Sequence, residues 1–255
     1  MTAVTANQPD GTPTWVDLGV PDVERAAAFY RAVFGWEVIP GPAETGYYSM
    51  CLLRGKAVAA LAQPPTVGEG QAPQWTMYFA AADTDGTAKR IVDAGGELLM
   101  PPMDVMGFGR MALAADPTGA RFGLWEGRDH LGCELVNEPG ALVRNDLVTT
   151  APDIARAFYH EVFDYTVEGN PDMPGADFTF LRRPDGHEIG GIMGVPDAPV
   201  SMWNTTFEVA DTDATVRAAT EAGGTVVHVE DMQYGRIAAL HDPFGTEFSV
   251  ITRAV

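Results

Sequence analysis

Asp17 and Asp146 stand at the same place in two copies of one sequence pattern, and a carboxylate that recurs inside an apolar stretch is a first candidate for acid-base work. The first copy, WVDLGVPDVERAAAFYRAVFGW, runs from Trp15 to Trp36, and the second, RNDLVTTAPDIARAFYHEVFDY, from Arg144 to Tyr165. The C-terminal half adds Glu188, Glu208 and Glu247 close to strand patterns that also carry Arg144, Asn204 and Ser249. Several carboxylates near one arginine in a partly apolar setting shift proton affinities and permit general acid-base chemistry. Other chemistries have less to work with. The five histidines (His130, His160, His187, His228, His241) include no close pair and no His-x-x-x-His spacing, and Cys51 and Cys133 stand alone. A first-row divalent ion needs three or four converging imidazole, carboxylate or thiolate donors, so no metal is expected. Glycine-rich phosphate loops, dinucleotide fingerprints and nucleophile elbows are absent, which leaves nucleotide, flavin and serine-hydrolase chemistry without support and predicts no cofactor.

The elements that must position these residues follow from periodicity. Val16, Leu18 and Val20 alternate with Trp15, Asp17 and Gly19, a half-buried strand. Asp22 can cap the helix that follows, and Gly35 ends it. Strands then follow over 36–39, 47–53 and 55–61, giving β-α-β-β-β. After the proline-rich connection 64–73 the order restarts, and its last two strands are joined by Asp116-Pro117-Thr118-Gly119. The second half repeats the plan, with Asp83-Thr84-Asp85, Gly95-Gly96 and Gly109-Arg110 echoed by Asp211-Thr212-Asp213, Gly223-Gly224 and Gly235-Arg236, and the turn by Asp242-Pro243-Phe244-Gly245. The chain therefore reads as a loose, disordered tail (1–13), a first domain 14–127 (modules 14–63 and 73–127), a linker 128–141, and a second domain 142–255 (modules 142–195 and 200–255).

Composition bounds the partners. A chain of 255 residues that is 46% hydrophobic can bury two cores. Its formal net charge of −19 argues against nucleic acid and anionic membranes, both of which are bound through positive charge. The tail lacks the apolar centre of a signal peptide, and no apolar run is long enough to span a bilayer. A soluble, cytoplasmic protein is expected, as a monomer or homodimer, with a small organic molecule as its partner.

Four ordered modules of this kind resemble the vicinal oxygen chelate superfamily, which includes glyoxalase I, bleomycin-resistance proteins, fosfomycin-resistance enzymes and extradiol dioxygenases. The likeness rests on Ala28-Phe29-Tyr30 before Val33-Phe34-Gly35-Trp36, on Ala157-Phe158-Tyr159 before Val162-Phe163-Asp164-Tyr165, and on the two Ala-Gly-Gly helix ends and two Asp-Pro-x-Gly turns. The chain is most similar to a two-domain, glyoxalase-like bacterial branch often described as hydroxylases. The resemblance implies an α+β fold of four βαβββ modules in two domains, each a curled mixed sheet forming a cup with helices outside. Metal-dependent relatives place His, Glu or Gln ligands on the cup floor. Those positions here are Trp15, Ala59, Thr76 and Gly123 in the first cup and Arg144, Gly190, Asn204 and Ser249 in the second, none of them such a ligand.

Strand parity then lists what faces each cup. The first is expected to be aromatic, floored by Trp15, Tyr78 and Trp125, with Asp17 and Arg121 as a charge pair and with Ala59 and Gly123 leaving room for a flat molecule. The second is expected to gather Arg144, Asp146, Asn204, Glu208, Glu247 and Ser249, with Tyr234 covering it. Asp146 or Glu208 would serve as acid or base, with Asp17 as the first cup's counterpart, while Arg144 holds an oxygen and Asn204 orients the substrate. Acidic strand residues in so acidic a chain are also ordinary solvated edges. Three readings stay open at this point: a metal-independent isomerase, cyclase, hydrolase or hydroxylase-type enzyme acting on a small, partly aromatic metabolite; a sequestering protein of the bleomycin-resistance type; and a pair of degenerate cups kept for contact with another protein.

Overall fold

The computed structural model describes residues 2–63, 73–171 and 175–254. Two large sheets carry the four modules. In the first, Pro13–Gly19 is flanked on one side by Lys56–Ala62, parallel to it, and on the other by Trp75–Ala80, antiparallel to it. Ser49–Leu53 and Glu37–Ile39 extend one side, and Arg121–Gly127, Gly109–Ala115 and Glu97–Val105 extend the other. The second sheet repeats this order around Leu142–Thr149 and Met202–Glu208. Modules adjacent in sequence thus pair through their first strands, a choice that the sequence leaves open.

The helices form where their caps predict. Asp22 accepts a hydrogen bond from the Arg25 amide at 2.9 Å to start Val23–Phe34, and Gly35, at φ 73°, ends it. Asp83 and Asp211 cap Thr84–Asp93 and Thr212–Glu221 in the same way, whereas Pro152–Phe163 begins on a proline. Each apolar face lies against its own sheet and also meets the other domain. Phe34 packs on Phe207 and Phe248, and Phe79 packs on Tyr159 and Phe163. The two cores expected from composition are one continuous cluster.

The join is reciprocal. Tyr30 donates to Asp242 Oδ2 at 3.2 Å, and Tyr159 donates to Asp116 Oδ2 at 3.1 Å. The other oxygen of each aspartate holds its own turn, Asp116 Oδ1 accepting from the Thr118 and Ala120 amides and Asp242 Oδ1 from those of Phe244 and Thr246. The second glycine of each helix end is packed as tightly. A Cβ on Gly96 would stand 2.9 Å from the Phe158 ring, and one on Gly224 would stand 2.9 Å from that of Phe29.

The segments expected as tail and linker are built into the fold. Thr2–Ala3 pairs antiparallel with Leu135–Val136, Asn7 Nδ2 donates to the Gly127 carbonyl, and the Ala82 amide donates to Asp10. The Tyr165 hydroxyl of the second domain donates to the Gly11 carbonyl. Backbone donors and acceptors find partners here that the amino-acid types of a polar tail do not announce.

Gly224→Ala is expected to destabilise the protein by about 1–3 kcal/mol, because the added methyl meets the Phe29 ring and the His241 carbonyl, neither of which can yield freely. Urea unfolding followed by fluorescence and circular dichroism should show one shared transition moved to lower denaturant.

Candidate functional site

The concave face of the first sheet holds one ionisable group amid rings. Asp17 lies on a strand whose alternate residues Val16 and Leu18 are fully buried on the helix side, so its carboxyl points into the cup. Trp15, Tyr78 and Trp125 share that face and are 2%, 6% and 7% exposed. They fill much of the cup themselves. A Cβ on Gly123 would lie 2.0 Å from the Tyr78 ring, so the room expected above Gly123 is occupied by that tyrosine. Sheet register also turns Ala59 to the core side and sets Ala60 beside Asp17.

Asp17 takes its hydrogen bonds from Tyr78, Tyr48 and Thr76, not from Arg121, which is exposed. Tyr48 donates to Asp17 Oδ2 at 3.1 Å, and Tyr78 donates to the same atom at 3.0 Å. Trp15 Nε1 donates to the Tyr48 hydroxyl at 2.8 Å, completing a four-member chain. Burial pushes the Asp17 carboxyl up to about 6, against the opposing hydrogen bonds from Tyr78, Tyr48 and Thr76. His130, expected in a linker, stands edge-on to Trp15 with ring centroids 4.4 Å apart, and its carbonyl accepts from Trp125 Nε1. Desolvation lowers its imidazole below the usual range, which keeps it neutral. Burial also pushes Cys133 up to about 12, far from a reactive thiolate.

The second cup is polar and more open. Arg144 Nε donates to both oxygens of Asp146 at 2.9 and 2.7 Å, and its Nη1 donates to Glu188 Oε1 at 2.6 Å. The guanidinium lies over the rings of Phe178 and Phe180. Asn204 Nδ2 donates to Ser249 Oγ at 2.9 Å, while Asn204 Oδ1 is buried without a donor. The remaining expected residues are not brought to this point. Asp146 is in register with Asn204, which places Glu208 about 13 Å further along the same strand. There Glu208 is paired with Arg253 at 2.6 Å. Glu247 pairs with His241 at 3.5 Å, and Tyr234 meets Asn170 at the rim.

The metal-ligand positions of the family do not fit a metal here. The side chains at those positions are the ones read from the sequence, and correcting the register substitutes Ala60 and Gly191, which bring no donor. Arg144 already supplies the positive charge between Asp146 and Glu188. Among the described residues, no group of three or more His, Cys, Asp or Glu side chains could hold an ion.

Two family models match the chain: the Glyoxalase/Bleomycin resistance protein/Dioxygenase superfamily over residues 12–124 and the Glyoxalase-like domain over residues 143–251. CFP32 of Mycobacterium tuberculosis, named as a suspected glyoxylase, is 42% identical over 250 residues, covering 96% of this chain and 95% of that protein. The chain belongs to the glyoxalase/bleomycin resistance/dioxygenase superfamily. Within it, the anthracycline biosynthesis protein DnrV of Streptomyces peucetius is 38% identical over 257 residues, covering 94% of this chain and 93% of that one. The fold is shared with a Mn(II)-bound glyoxalase from Novosphingobium aromaticivorans (TM-score 0.66, 17% identity, 94% of this chain and 82% of that one). It is also shared with the 2,3-dioxygenase LapB from Pseudomonas sp. KL28 (TM-score 0.65, 14% identity, 97% and 94%).

Within this superfamily fold, Tyr48, His130, Phe178 and Phe180 are site residues that the sequence reading did not single out. Tyr48 carries a usable signal, because it immediately precedes Ser49–Leu53, two places before Met50, which is in register with Ala60 beside Asp17. His130 carries none, since its place depends on how an irregular segment folds back. No helix among the described residues is long and apolar enough to cross a membrane.

A carboxyl whose folded pKa is raised lowers stability as pH climbs from about 4 to about 6, because the unfolded chain releases the proton first. Asp17→Asn should therefore raise the melting temperature at pH 7.5, by an amount equivalent to at most ~3 kcal/mol, and should have little effect below pH 4. Thermal unfolding across that range checks it.

Proposed function

We propose that this chain is an enzyme that handles a small, partly aromatic metabolite by acid-base chemistry without a metal ion, with Asp17 as the reacting acid or base. The observation that carries this reading is the environment of Asp17: one carboxyl, raised to about 6, among Trp15, Tyr48, Tyr78 and Trp125. A group poised near neutrality can both take and return a proton at working pH. The residues at the metal-ligand positions supply no competing donor set. A relative named for anthracycline biosynthesis supports a fused-ring aromatic compound as the first ligand class to test.

The second cup supports binding more than proton transfer. Asp146 is held by two bonds from Arg144, and Glu208 by Arg253, so both serve as fixed charges. Arg144, Asn204 and Ser249 remain candidate substrate contacts, with the unpartnered Asn204 Oδ1 able to accept a ligand donor.

Native mass spectrometry of protein from its own host should reveal a carried small molecule. With that compound or its precursor, Asp17→Asn should lower kcat by at least ~100-fold while leaving Kd within about threefold. The unmodified protein should lose rate as pH falls through about 6, where Asp17 takes up its proton. Asp146→Asn and Glu208→Gln should change kcat by less than about fivefold. Tight stoichiometric binding without product would replace this reading with sequestration.

A further inference from the structure

The chain lays one of its own rings on the aromatic floor of the first cup. His130 stands edge-on to Trp15 with ring centroids 4.4 Å apart, and its ring lies 5.6 Å from that of Trp125. The segment that carries it is anchored at both ends. Gly127 belongs to the last strand and accepts from Asn7, while the Cys133 amide donates to the Thr14 carbonyl at 2.8 Å and the Glu134 amide to that of Ala57 at 2.7 Å. Between those anchors the hold is weaker. The Arg128 and His130 amides share one acceptor, the carbonyl of the exposed Phe108, and the Thr14 hydroxyl reaches the Leu131 carbonyl at 3.3 Å. Gly132, at φ 102°, sits where the loose part meets the Cys133 anchor. The ring itself is held by packing. His130 Nε2 is buried without a hydrogen-bond partner among the described residues, and the nearby charges are engaged elsewhere, Glu134 with Lys56 and Arg128 with Asp104. A ring nitrogen cut off from both water and a partner favours the ring's departure.

We propose that His130 is a built-in plug: its imidazole takes the place of a ligand ring beside Trp15 and Trp125, and the first cup admits a small molecule only when segment 128–131 lifts. This rests on the reading of the first cup as the ligand site and adds the step that opens it. Lifting the segment uncovers the Trp15 face and releases Trp125 Nε1, which in the closed form donates to the His130 carbonyl at 2.8 Å. Trp15 in turn donates to Tyr48, and Tyr48 to Asp17, so a ring lodged against Trp15 stands at the head of the chain that ends on the carboxyl. In the closed form the plug keeps Trp15 and Trp125 from water, at 2% and 7% exposure. The same closure lowers the apparent affinity for any ligand by the fraction of molecules that stand open.

The test titrates N-phenyl-1-naphthylamine, a neutral dye that brightens in apolar surroundings, into the full chain. His130→Ala should bind it at least ~10-fold more tightly than the unmodified protein, because a plug that is mostly closed withholds that factor. His130→Phe, which keeps a ring in place, should bind it no more tightly than the unmodified protein. Free imidazole in millimolar amounts should weaken dye binding to His130→Ala and leave the unmodified protein unaffected. Hydrogen exchange of the unmodified protein needs no variant and decides the matter if His130→Ala does not fold. The Arg128 and His130 amides should exchange at least ~10-fold faster than the Cys133 amide, which stays bonded to Thr14 when the segment lifts. Equal dye binding by all three proteins, a gain that imidazole does not reverse, a gain shared by His130→Phe, or equal exchange at the three amides would overturn the assignment. Dye uptake gated by His130 in a protein whose turnover survives Asp17→Asn would remove the catalytic reading and keep the plug. Asp17-dependent turnover that neither His130 variant alters would do the reverse.

Discussion

One carboxylate per turn, shared between its own backbone and a tyrosine of the other domain, joins the two halves of this molecule. Asp242 closes its turn with one oxygen and accepts from Tyr30 with the other, and Asp116 does the same for Tyr159. Because both partners are buried, breaking either bond would leave a polar group without solvent or partner. This geometry fixes the helices between the two sheets and turns both concave faces outward. The family's recurring Phe-Tyr pairs, Gly-Gly helix ends and Asp-Pro-x-Gly turns are therefore devices of assembly. They say little about what either cup binds.

Duplication has given the same backbone position two different chemistries. Asp17 and Asp146 occupy matching strands, yet the residue two places earlier is Trp15 in one and Arg144 in the other. Beside a tryptophan and two tyrosines, the carboxyl has neutral donors and little water, so its charged form is disfavoured. Beside a guanidinium within 2.9 Å, the other carboxyl is fixed as an ion-pair partner. That difference, and not the count of acids, separates a carboxyl whose charged form is disfavoured from one held in an ion pair. In the second cup the cation between Asp146 and Glu188 is covalently part of the chain.

The aromatic character of the first cup was legible, but its consequence was not. Parity correctly placed Trp15, Asp17, Tyr78 and Trp125 on one face, since alternation is a local property of a strand. Whether Gly123 left space could not be read locally, because Tyr78 comes from a neighbouring strand and fills it. The expected Asp17–Arg121 pair failed for a similar reason. Opposite charges on one face need not meet when two tyrosines, one on a neighbouring strand and one just before another, lie closer. Parity puts Glu208 on the same face as Asn204 but carries no information on distance along a strand, and the register sets it well beyond Asp146.

The sequence by itself determined the duplication, the four βαβββ modules, the caps and turns, and the face on which most site residues lie. Each of these follows from patterns within a few residues or from repetition along the chain. Only the tertiary structure decided that sequence neighbours pair and that the two domains share one core. It also decided that residues 2–13 are stitched into the sheets, and which donor reaches which oxygen of Asp17. Those outcomes depend on register and rotamer between segments far apart in the chain, where differences of an ångström choose the hydrogen-bond partner and no local pattern records the choice.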